Sequence, residues 1–320
     1  MPDLTGLGDL SGLRSRPYGA EQDLQEMQAL LRTARAHTGD WRYPHVGDLM
    51  WTFFILACHL DPREQIRLWH DPGGTLAGYA ILGEDPAFEC QVAPDFRGSA
   101  IETEALEWAE ALLAELRGRD PQRWGEGLIS GARQDDADRR ELLERHGFRP
   151  RGYVEVNMMR SLAEPIRAPA TPAGWQIRAV AGAGEAPLRA TAQREVWSPW
   201  TVGDVSGGDY AALMRLPGYD RELDVVAVSP DGVHAAYVNG WADPLNRVGD
   251  FGPVGTLPAY RRQGLGRAVL VEALGRMMAC GMDRVCVSTG ESNTAARQLY
   301  ESVGFAVQNR YVEYVKTNAA

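Results

Sequence analysis

The chain has 320 residues, enough for two domains of ordinary size with separate hydrophobic cores. Apolar residues make up 44% and charged residues 24% of it, as in globular proteins, and the longest apolar run, Leu49 to Cys58, is too short to span a bilayer. The net charge of −10 disfavours a nucleic-acid partner and mildly suits a cationic or amine ligand.

The first half of the chain predicts alternating strands and helices. A strand over 12–17 precedes a helix over 21–36, whose apolar residues recur at helical spacing, and the nearly all-apolar run over 49–60 predicts a helix buried on several sides. Residues 64–70 and 75–82 predict a hairpin. The remaining predicted elements are a helix over 101–117, a strand over 127–130, a charged helix ending at 144–148 and a strand over 153–159.

A proline-rich segment separates this half from the next. Residues 163–174 contain three prolines and no periodicity, which predicts a semi-rigid linker. We therefore predict a domain over 1–163, a linker over 164–174 and a second domain over 175–320. In the second half the order of elements restarts, with a strand over 175–180, a helix-and-loop region to 220 and a hairpin over 223–241. The chain thus contains a duplication of roughly 160 residues.

The stretch from Asp250 to Gly266 predicts a strand, a glycine-containing turn and then an apolar helix reaching about Cys280. Such a turn directs free backbone N–H groups and the positive end of a helix dipole at one point, and glycine leaves room for an anion. The dinucleotide pattern fails because Val269 stands at its third glycine, and the P-loop pattern fails because Arg267 follows Gly266. The sequence R-x-x-G-x-G therefore predicts a phosphate-binding turn of another kind.

A second motif follows at a defined distance. Beyond a predicted strand over 284–289, residues 293–305 read N-T-A-A-R-Q-L-Y-E-S-V-G-F, a short helix with Gly304 as its C-cap. The two motifs together resemble the GCN5-related N-acetyltransferase (GNAT) family. This resemblance implies an α/β fold in two tandem domains, each with a twisted mixed sheet flanked by helices. It also implies acetyl-CoA as co-substrate.

The resemblance assigns roles to individual residues. It implies that Tyr300 protonates the departing thiolate and that Asp250 stands where the family's general base projects, directly or through water, although a solvated aspartate is the alternative. By the period of two, we expect Asp250, Gly252, Val254 and Thr256 to share a face of the strand. The residues expected to bind the coenzyme are Val254, Gly255, Thr256, Arg261, Arg262, Gln263, Gly264, Leu265, Gly266, Arg267, Asn293 and Arg297, the last of which reads equally as a surface arginine.

The first copy lacks the residues that make the second copy a candidate catalyst. Aligning Arg97 with Arg261 places Ala100 and Glu102 where the second copy has Gly264 and Gly266. The other counterparts are Leu143 for Tyr300, Asp136 for Asn293 and Pro86 for Asp250. Tandem copies with one degenerate half resemble the mycothiol synthase group of the family, whose members acetylate an amine on a cysteinyl pseudodisaccharide.

The sequence indicates the residues that would bind the acceptor amine less clearly than those that would bind the coenzyme. Aromatic and acidic groups suit an amine ligand, and the candidates are Trp200, Trp241, Asp243 and Glu313, with core packing as the alternative for the tryptophans. We expect an N-acetyltransferase that acts on a primary amine of a small molecule by direct attack in a ternary complex. The alternative is a non-catalytic acyl-CoA-binding sensor or scaffold.

The cysteines and the amino-terminal sequence indicate the cellular compartment that we expect for the protein. Four cysteines without a C-x-x-C pair and six histidines without H-E-x-x-H predict neither a disulfide framework nor a metal site. The acidic amino terminus lacks the basic and apolar regions of a signal peptide. We expect a cytoplasmic monomer or homodimer with no membrane and no nucleic-acid partner.

Overall fold

A computed structural model describes residues 12–39, 42–125, 127–166 and 171–317, and within these ranges no helix is both long and apolar enough to cross a membrane. The architecture is α/β, as predicted. The strands are β1 (Arg14–Pro17), β2 (Ile66–His70), β3 (Leu76–Leu82), β4 (Phe88–Val92), β5 (Gly127–Arg133), β6 (Arg149–Ser161), β7 (Gln176–Ala179), β8 (Asp224–Val228), β9 (His234–Asp243), β10 (Val248–Thr256), β11 (Arg284–Gly290) and β12 (Ala306–Thr317). The helices are α1 (Glu21–Thr38), α2 (Val46–His59), α3 (Pro62–Gln65), α4 (Ala100–Arg119), α5 (Ala137–Arg145), α6 (Ala186–Trp197), α7 (Gly207–Leu213), α8 (Leu265–Ala279) and α9 (Thr294–Ser302).

The spacing of apolar residues in the sequence predicted most of these helices and strands. The helices predicted over 21–36 and 101–117 are α1 and α4, and the all-apolar run over 49–60 forms α2, whose buried residues include Leu49, Met50, Phe53 and Phe54. Strand β12 was not predicted. Its sequence mixes apolar and charged residues without a clean alternation, and most of its side chains are only partly buried.

The first compact unit comprises residues 1–44, 59–154 and 310–320. Strands β1 to β4 form an antiparallel sheet in chain order, and a parallel bridge between Ala87 and Ile129 adds β5. Residues 311–317 of β12 then pair antiparallel with β5. Helix α4 packs its apolar face against these strands, with Ile101 and Leu106 fully buried in the core.

The second compact unit comprises residues 45–58 and 155–309. Its strands lie in the order β7, β8, β9, β10, β11 and then residues 155–161 of β6. Strands β10 and β11 are parallel, whereas the other neighbours are antiparallel. Helix α8 packs on one face of this sheet through Val269, Leu270 and Leu274, which are fully buried. The two units do not follow the order of the chain, because long-range strand pairing decides which segments are packed together.

The predicted division at 164–174 follows chain order and remains a prediction about the two halves. Residues 164–166 and 171–174 of that linker are described, and 167–170 lie outside the described residues. Helix α2, from the first half, belongs to the second unit, and the end of β12 belongs to the first. Sequence patterns report local structure, so they contained no signal for this interleaving.

Matching turns confirm the internal repeat. The Leu257 N–H donates to the Ala235 carbonyl at 2.9 Å, and the Ala93 N–H donates to the Ala77 carbonyl at 2.8 Å, each just before a single 3-10 turn that begins with proline. Both turns lead to a long helix, α8 in the second copy and α4 in the first. The two copies therefore keep the same backbone path into the predicted phosphate turn.

Candidate active site

An opening forms where β10 parts from β11. The parallel pairing of these strands runs from Val248 and Arg284 to Phe251 and Val287. Beyond that point β10 continues on β9 as far as Thr256, while β11 continues on β6 as far as Gly290. The carboxyl ends of two neighbouring strands thus separate, which is where open α/β sheets bind ligands.

A β-bulge in β10 lies at this opening. The register with β9 shifts between Phe251 and Val254, so that Gly252 and Pro253 together stand opposite Asn239. Proline suits this place because it has no N–H to contribute to a strand ladder. A bulge of this kind changes which way the following side chains point.

The bulge corrects the predicted face of β10. Asp250 pairs with Trp241 and Val254 pairs with Val238, and these two β9 residues are three apart, so they lie on opposite faces of the sheet. Asp250 therefore does not share a face with Val254 and Thr256, as the period of two had predicted. Thr256 faces helix α8, since a Cβ atom on Gly266 would lie 3.0 Å from its hydroxyl oxygen. Asp250 points to the other side.

The backbone of β10 presents polar groups toward the opening. Since Leu257 donates to Ala235, alternation along an antiparallel pair makes Gly255 and Tyr237 the next mutually bonded pair. Val254 and Thr256 then direct their N–H and C=O groups away from β9. The Thr256 carbonyl accepts a hydrogen bond from the Nε of Arg261 at 3.2 Å.

The predicted phosphate turn has the geometry that an anion requires. Gly264 is the N-cap of α8 with a φ of +83°, a conformation that side chains other than glycine adopt at a cost, and a Cβ built on it would meet nothing within 4 Å. At position 266 glycine allows close packing, because a Cβ on Gly266 would lie 3.0 Å from the Thr256 hydroxyl oxygen and 3.3 Å from the Leu299 side chain. The turn is therefore open on its outer side and tightly packed on its inner side.

Positive charge surrounds this turn. Residues 261–264 are exposed, and Arg262 has a φ of +61°, unusual for a residue that is not glycine. Arg261 and Arg262 precede the helix and Arg267 lies in its first turn, while Gln263 donates to the Ala259 carbonyl at 3.4 Å. Three guanidinium groups near free helical N–H groups favour a multiply charged phosphate. Leu265 is buried and anchors the helix in the core.

A helix C-cap places Tyr300. The Phe305 N–H donates to the Tyr300 carbonyl at 3.1 Å and the Gly304 N–H donates to the Glu301 carbonyl at 3.0 Å, with Gly304 at a φ of +94°. This is a Schellman motif, and its usual apolar contact is made by the rings of Tyr300 and Phe305, whose centroids are 6.1 Å apart. The predicted C-cap role of Gly304 is confirmed.

The electrostatic surroundings of Tyr300 favour its protonated form. The side chain is 5% exposed, and its pKa is raised above the usual value first by burial and then by the carboxylate of Asp250 and by Tyr237. Asp250 is itself 5% exposed. The buried carboxylate of Asp250 thus acts electrostatically on the buried phenol of Tyr300.

Asn293 and Arg297 are engaged locally. Asn293 is the N-cap of α9, and its side-chain oxygen accepts from the Ala296 N–H at 3.2 Å. Arg297 donates to the Glu291 carbonyl at 3.2 Å and approaches Glu301 at 3.8 Å. Both side chains order the loop between β11 and α9. Asn293 is exposed.

The four predicted acceptor residues lie in different surroundings. Trp200 is 68% exposed, whereas Trp241 is 1% exposed and donates its indole N–H to the Gly252 carbonyl at 2.8 Å. Asp243 is fully buried and accepts from the Asn246 amide at 2.6 Å, so that it stabilises the turn between β9 and β10. Glu313 belongs to the first unit, where burial raises the pKa of its carboxyl and Arg151 lies 3.3 Å away.

Tyr237 is a residue of the site that the sequence patterns did not indicate. Its hydroxyl accepts from the Trp197 indole and donates to the Gln193 side chain, both at 2.9 Å, and its ring occupies the space that a Cβ on Gly255 would need. Glycine within a strand often marks such a close approach, and Gly255 was the available signal. Tyr237 covers the face of β10 on which the Asp250 side chain lies.

The corresponding turn of the first copy is filled by its own side chains. The Gly98 N–H donates to the Glu102 carboxylate at 2.7 Å, and Glu102 is buried. Arg97 donates to both oxygens of Asp136 at 2.9–3.0 Å. The same C-cap pattern recurs with Leu143 in the place of Tyr300, because the Phe148 N–H donates to the Leu143 carbonyl at 3.0 Å. In the first copy a carboxylate thus bonds to the backbone of the turn that corresponds to the predicted phosphate turn.

Comparison with known proteins places this geometry in a family. The model of the acetyltransferase (GNAT) family matches residues 192–305. A mycothiol acetyltransferase from Nocardia farcinica is 32% identical over 274 residues, which cover 81% of this chain and 85% of the relative. A mycothiol acetyltransferase from Thermobispora bispora is 29% identical over 244 residues, covering 73% of this chain and 77% of the relative.

Solved structures share the fold. A GCN5-related N-acetyltransferase from Sphaerobacter thermophilus superposes with a TM-score of 0.65 at 23% identity, covering 97% of this chain and 96% of that one. A tandem GNAT protein from the clavulanic acid biosynthesis pathway gives a TM-score of 0.64 at 16% identity, covering 96% and 99%. The chain therefore belongs to the GNAT family of acetyltransferases, as an acetyl-transferring enzyme related to the mycothiol acetyltransferases.

Proposed function

We propose that the site in the second unit transfers acetyl from acetyl-CoA to a primary amine of a small molecule by direct attack in a ternary complex, and that the first copy is inactive. The observation that carries this proposal is a pair of buried groups, Asp250 and Tyr300, which are close enough for the Asp250 carboxylate to act electrostatically on the phenol. An acyl-CoA sensor would need the turn but neither of these groups.

The residues around the turn fit the coenzyme. Its pyrophosphate would lie on the N–H groups at the start of α8, with Arg261, Arg262 and Arg267 beside it and with Gln263, Gly264, Leu265 and Gly266 forming the cradle. The outward-facing backbone of Val254 and Thr256 would hydrogen-bond the pantetheine arm, with Gly255 keeping the strand close to Tyr237. Asn293 and Arg297 would border the coenzyme from the loop before α9. The coenzyme supplies the thioester-activated acetyl group.

The chain's own groups move the protons. Asp250 takes a proton from the ammonium group through a bridging water, and the neutral nitrogen forms a C–N bond to the acetyl carbon while the C–S bond breaks with its electron pair left on sulfur. Tyr300 donates its hydroxyl proton to that sulfur. The nitrogen's second proton restores the phenol of Tyr300 through solvent, so one proton is released per turnover. An N–H of β10 stabilises the carbonyl oxygen.

The two proton-transfer groups are electrostatically coupled. The negative charge of Asp250 raises the pKa of Tyr300, second only to burial. When Asp250 accepts the proton of the amine, this contribution disappears and Tyr300 becomes a stronger acid. The phenol thus holds its proton before the amine is activated and releases it more readily afterwards.

The name of the similar proteins suggests the chemical class of the acceptor. Because the similar proteins are named mycothiol acetyltransferases, we propose an amine of a mycothiol precursor or a chemically similar small amine. Trp200 is exposed and free to contact such a molecule, whereas the buried Trp241 and Asp243 are not.

The decisive experiment measures thiol release from acetyl-CoA with a panel of amines that includes cysteinyl glycosides, aminoglycosides and peptide amino termini. Turnover with an amine supports the enzyme. Tight coenzyme A binding without turnover on any acceptor would instead support the sensor.

Two variants then separate the catalytic roles. Tyr300→Phe should lower kcat by roughly 10²–10⁴ at every pH and leave coenzyme affinity nearly intact, because the phenyl ring still packs on Phe305. Asp250→Asn should lower turnover most at low pH, and its defect should shrink as pH rises and the amine becomes neutral unaided. Parental activity of Asp250→Asn at neutral pH would exclude Asp250 as the base.

A further inference from the structure

Trp241 is the side chain that fixes the bulge beside Asp250. Its indole N–H donates to the Gly252 carbonyl at 2.8 Å, inside the two-residue bulge. Trp241 also pairs directly with Asp250 across β9 and β10, so the two side chains lie on one face with Cβ atoms about 5 Å apart. A single side chain therefore contacts the bulge and flanks the carboxylate.

Helix α2 in turn fixes Trp241. Gly47 lies against the root of this side chain, since a Cβ on Gly47 would lie 2.6 Å from Trp241 Cγ and 2.7 Å from its Cβ. The Cβ of Trp241 cannot move away by a rotamer change, because it is attached directly to the β9 backbone. Only glycine permits so close an approach.

A second contact joins the same helix end to β10. His45 Nε2 lies 3.1 Å from the Val248 carbonyl oxygen, two residues before Asp250. Its Nδ1 accepts from the Gly47 N–H at 3.0 Å, which leaves Nε2 as the protonated nitrogen that donates to Val248. The start of α2 thus touches β10 directly through His45 and indirectly through Trp241.

We propose that Trp241 is a positioning residue for the general base, and that helix α2, contributed by the first half of the chain, is the element that holds it. The inference rests on the proposed role of Asp250. Trp241 holds the bulge at Gly252, and the Asp250 carboxylate lies beside that residue, since a Cβ built on Gly252 would lie 3.4 Å from an Asp250 carboxylate oxygen. Trp241 therefore fixes one side of the space in which the carboxylate meets the bridging water. The first half of the chain therefore completes the catalytic geometry even though its own anion site is filled by Glu102.

The first test removes the indole hydrogen bond and keeps the ring. Trp241→Phe should lower kcat at neutral pH by roughly two- to tenfold, the range expected for losing one neutral hydrogen bond, with unchanged affinity for coenzyme A. The defect should shrink toward alkaline pH, because a neutral amine no longer needs a well-placed base. A purely structural role would lower kcat by the same factor at every pH.

The second test changes the contact between helix α2 and Trp241. Gly47→Ala should lower kcat by at least about tenfold with the same alkaline recovery, because overpacking displaces Trp241 or β9. Gly275→Ala is the matched control, since that helical glycine has nothing within 4 Å of a built Cβ, and it should retain parental kcat. Circular dichroism and melting temperature are compared for all three variants.

The outcomes separate this inference from the function on which it rests. An active parent, with folded Trp241→Phe and Gly47→Ala variants whose kcat at each pH equals that of the parent, overturns the inference and leaves the enzyme intact. A pH-independent loss in both variants overturns it as well. If Asp250→Asn itself has parental activity, the assignment of the base fails, and the positioning role fails with it. Alkaline recovery in both variants, absent in Tyr300→Phe, supports it.

Discussion

Two substitutions at Gly264 test whether a negative charge at the phosphate turn prevents coenzyme A binding. We expect Gly264→Glu to abolish coenzyme A binding, because it places a carboxylate at an exposed position where the structure leaves open space. Glutamine at the same position is the control. Both substitutions meet the same positive φ of +83°, which costs about 1–2 kcal/mol of stability for a residue with a Cβ, and both add nearly the same volume.

The difference between the two variants is one negative charge beside a pyrophosphate. Two like charges about 4 Å apart repel by about 4 kcal/mol at the effective dielectric constant of a protein surface, which corresponds to a factor of roughly 10³ in affinity. We therefore expect the glutamate variant to bind at least about a hundredfold more weakly than the glutamine variant after screening by salt. The gap should narrow as ionic strength rises.

Calorimetric titration with coenzyme A measures both dissociation constants, and the melting temperature confirms that both variants fold. Equal affinities for the two variants would show that charge at this turn is irrelevant, and parental affinity in the folded glutamate variant would place the pyrophosphate elsewhere.

Three further predictions use other parts of the molecule. In the first copy, Glu102→Gly combined with Asp136→Asn should open the anion site, so that calorimetry detects a second coenzyme A per chain; a stoichiometry that stays at one would contradict the carboxylates as the obstruction. A fragment of residues 171–320 should show no cooperative unfolding because it lacks α2 and residues 155–161, and a folded, active fragment would refute this. Finally, the Arg178 guanidinium, together with the Ala181 N–H, lowers the pKa of Glu185 to about 2, so its stabilisation is present above the unfolded pKa near 4.5 and is lost as pH falls toward 2. Glu185→Gln should accordingly cost about 1–2 kcal/mol at pH 7, a value reduced for partial solvent screening, and almost nothing near pH 2; an equal cost at both pH values in chemical denaturation would contradict the ion pair.

Local sequence information predicted the parts of the site that depend on local backbone geometry. The turn at Gly264 and the C-cap at Gly304 both use a positive φ, which leaves glycine as the sequence signal. Tyr300 was identified through the family resemblance, and the Schellman motif explains its fixed distance from Gly304. These features lie within a few residues of one another along the chain.

Features that depend on pairing between distant segments were not predictable. The bulge shifts the register of β10 against β9, so the simple alternation from Asp250 to Thr256 gave the wrong face. Trp241 was a candidate acceptor contact with core packing as the alternative, and the residue that it packs against, Gly47, lies almost 200 residues earlier in the chain. Glu313 likewise belongs to a unit that its place in the sequence does not suggest.

The interleaving of the two units also constrains how the protein is made. His45 and Val248 are bonded across 203 residues, and Lys316 meets Glu110 across 206 residues. A nascent chain therefore exposes the apolar surface of α2 until β10 has been synthesised, and the first unit lacks one of its strands until β12 has been synthesised. Neither unit is complete early in synthesis, although domains of multidomain proteins usually fold in order from the amino terminus. We expect the growing chain to rely on chaperones that shield exposed apolar segments, and to be sensitive to premature termination anywhere before β12.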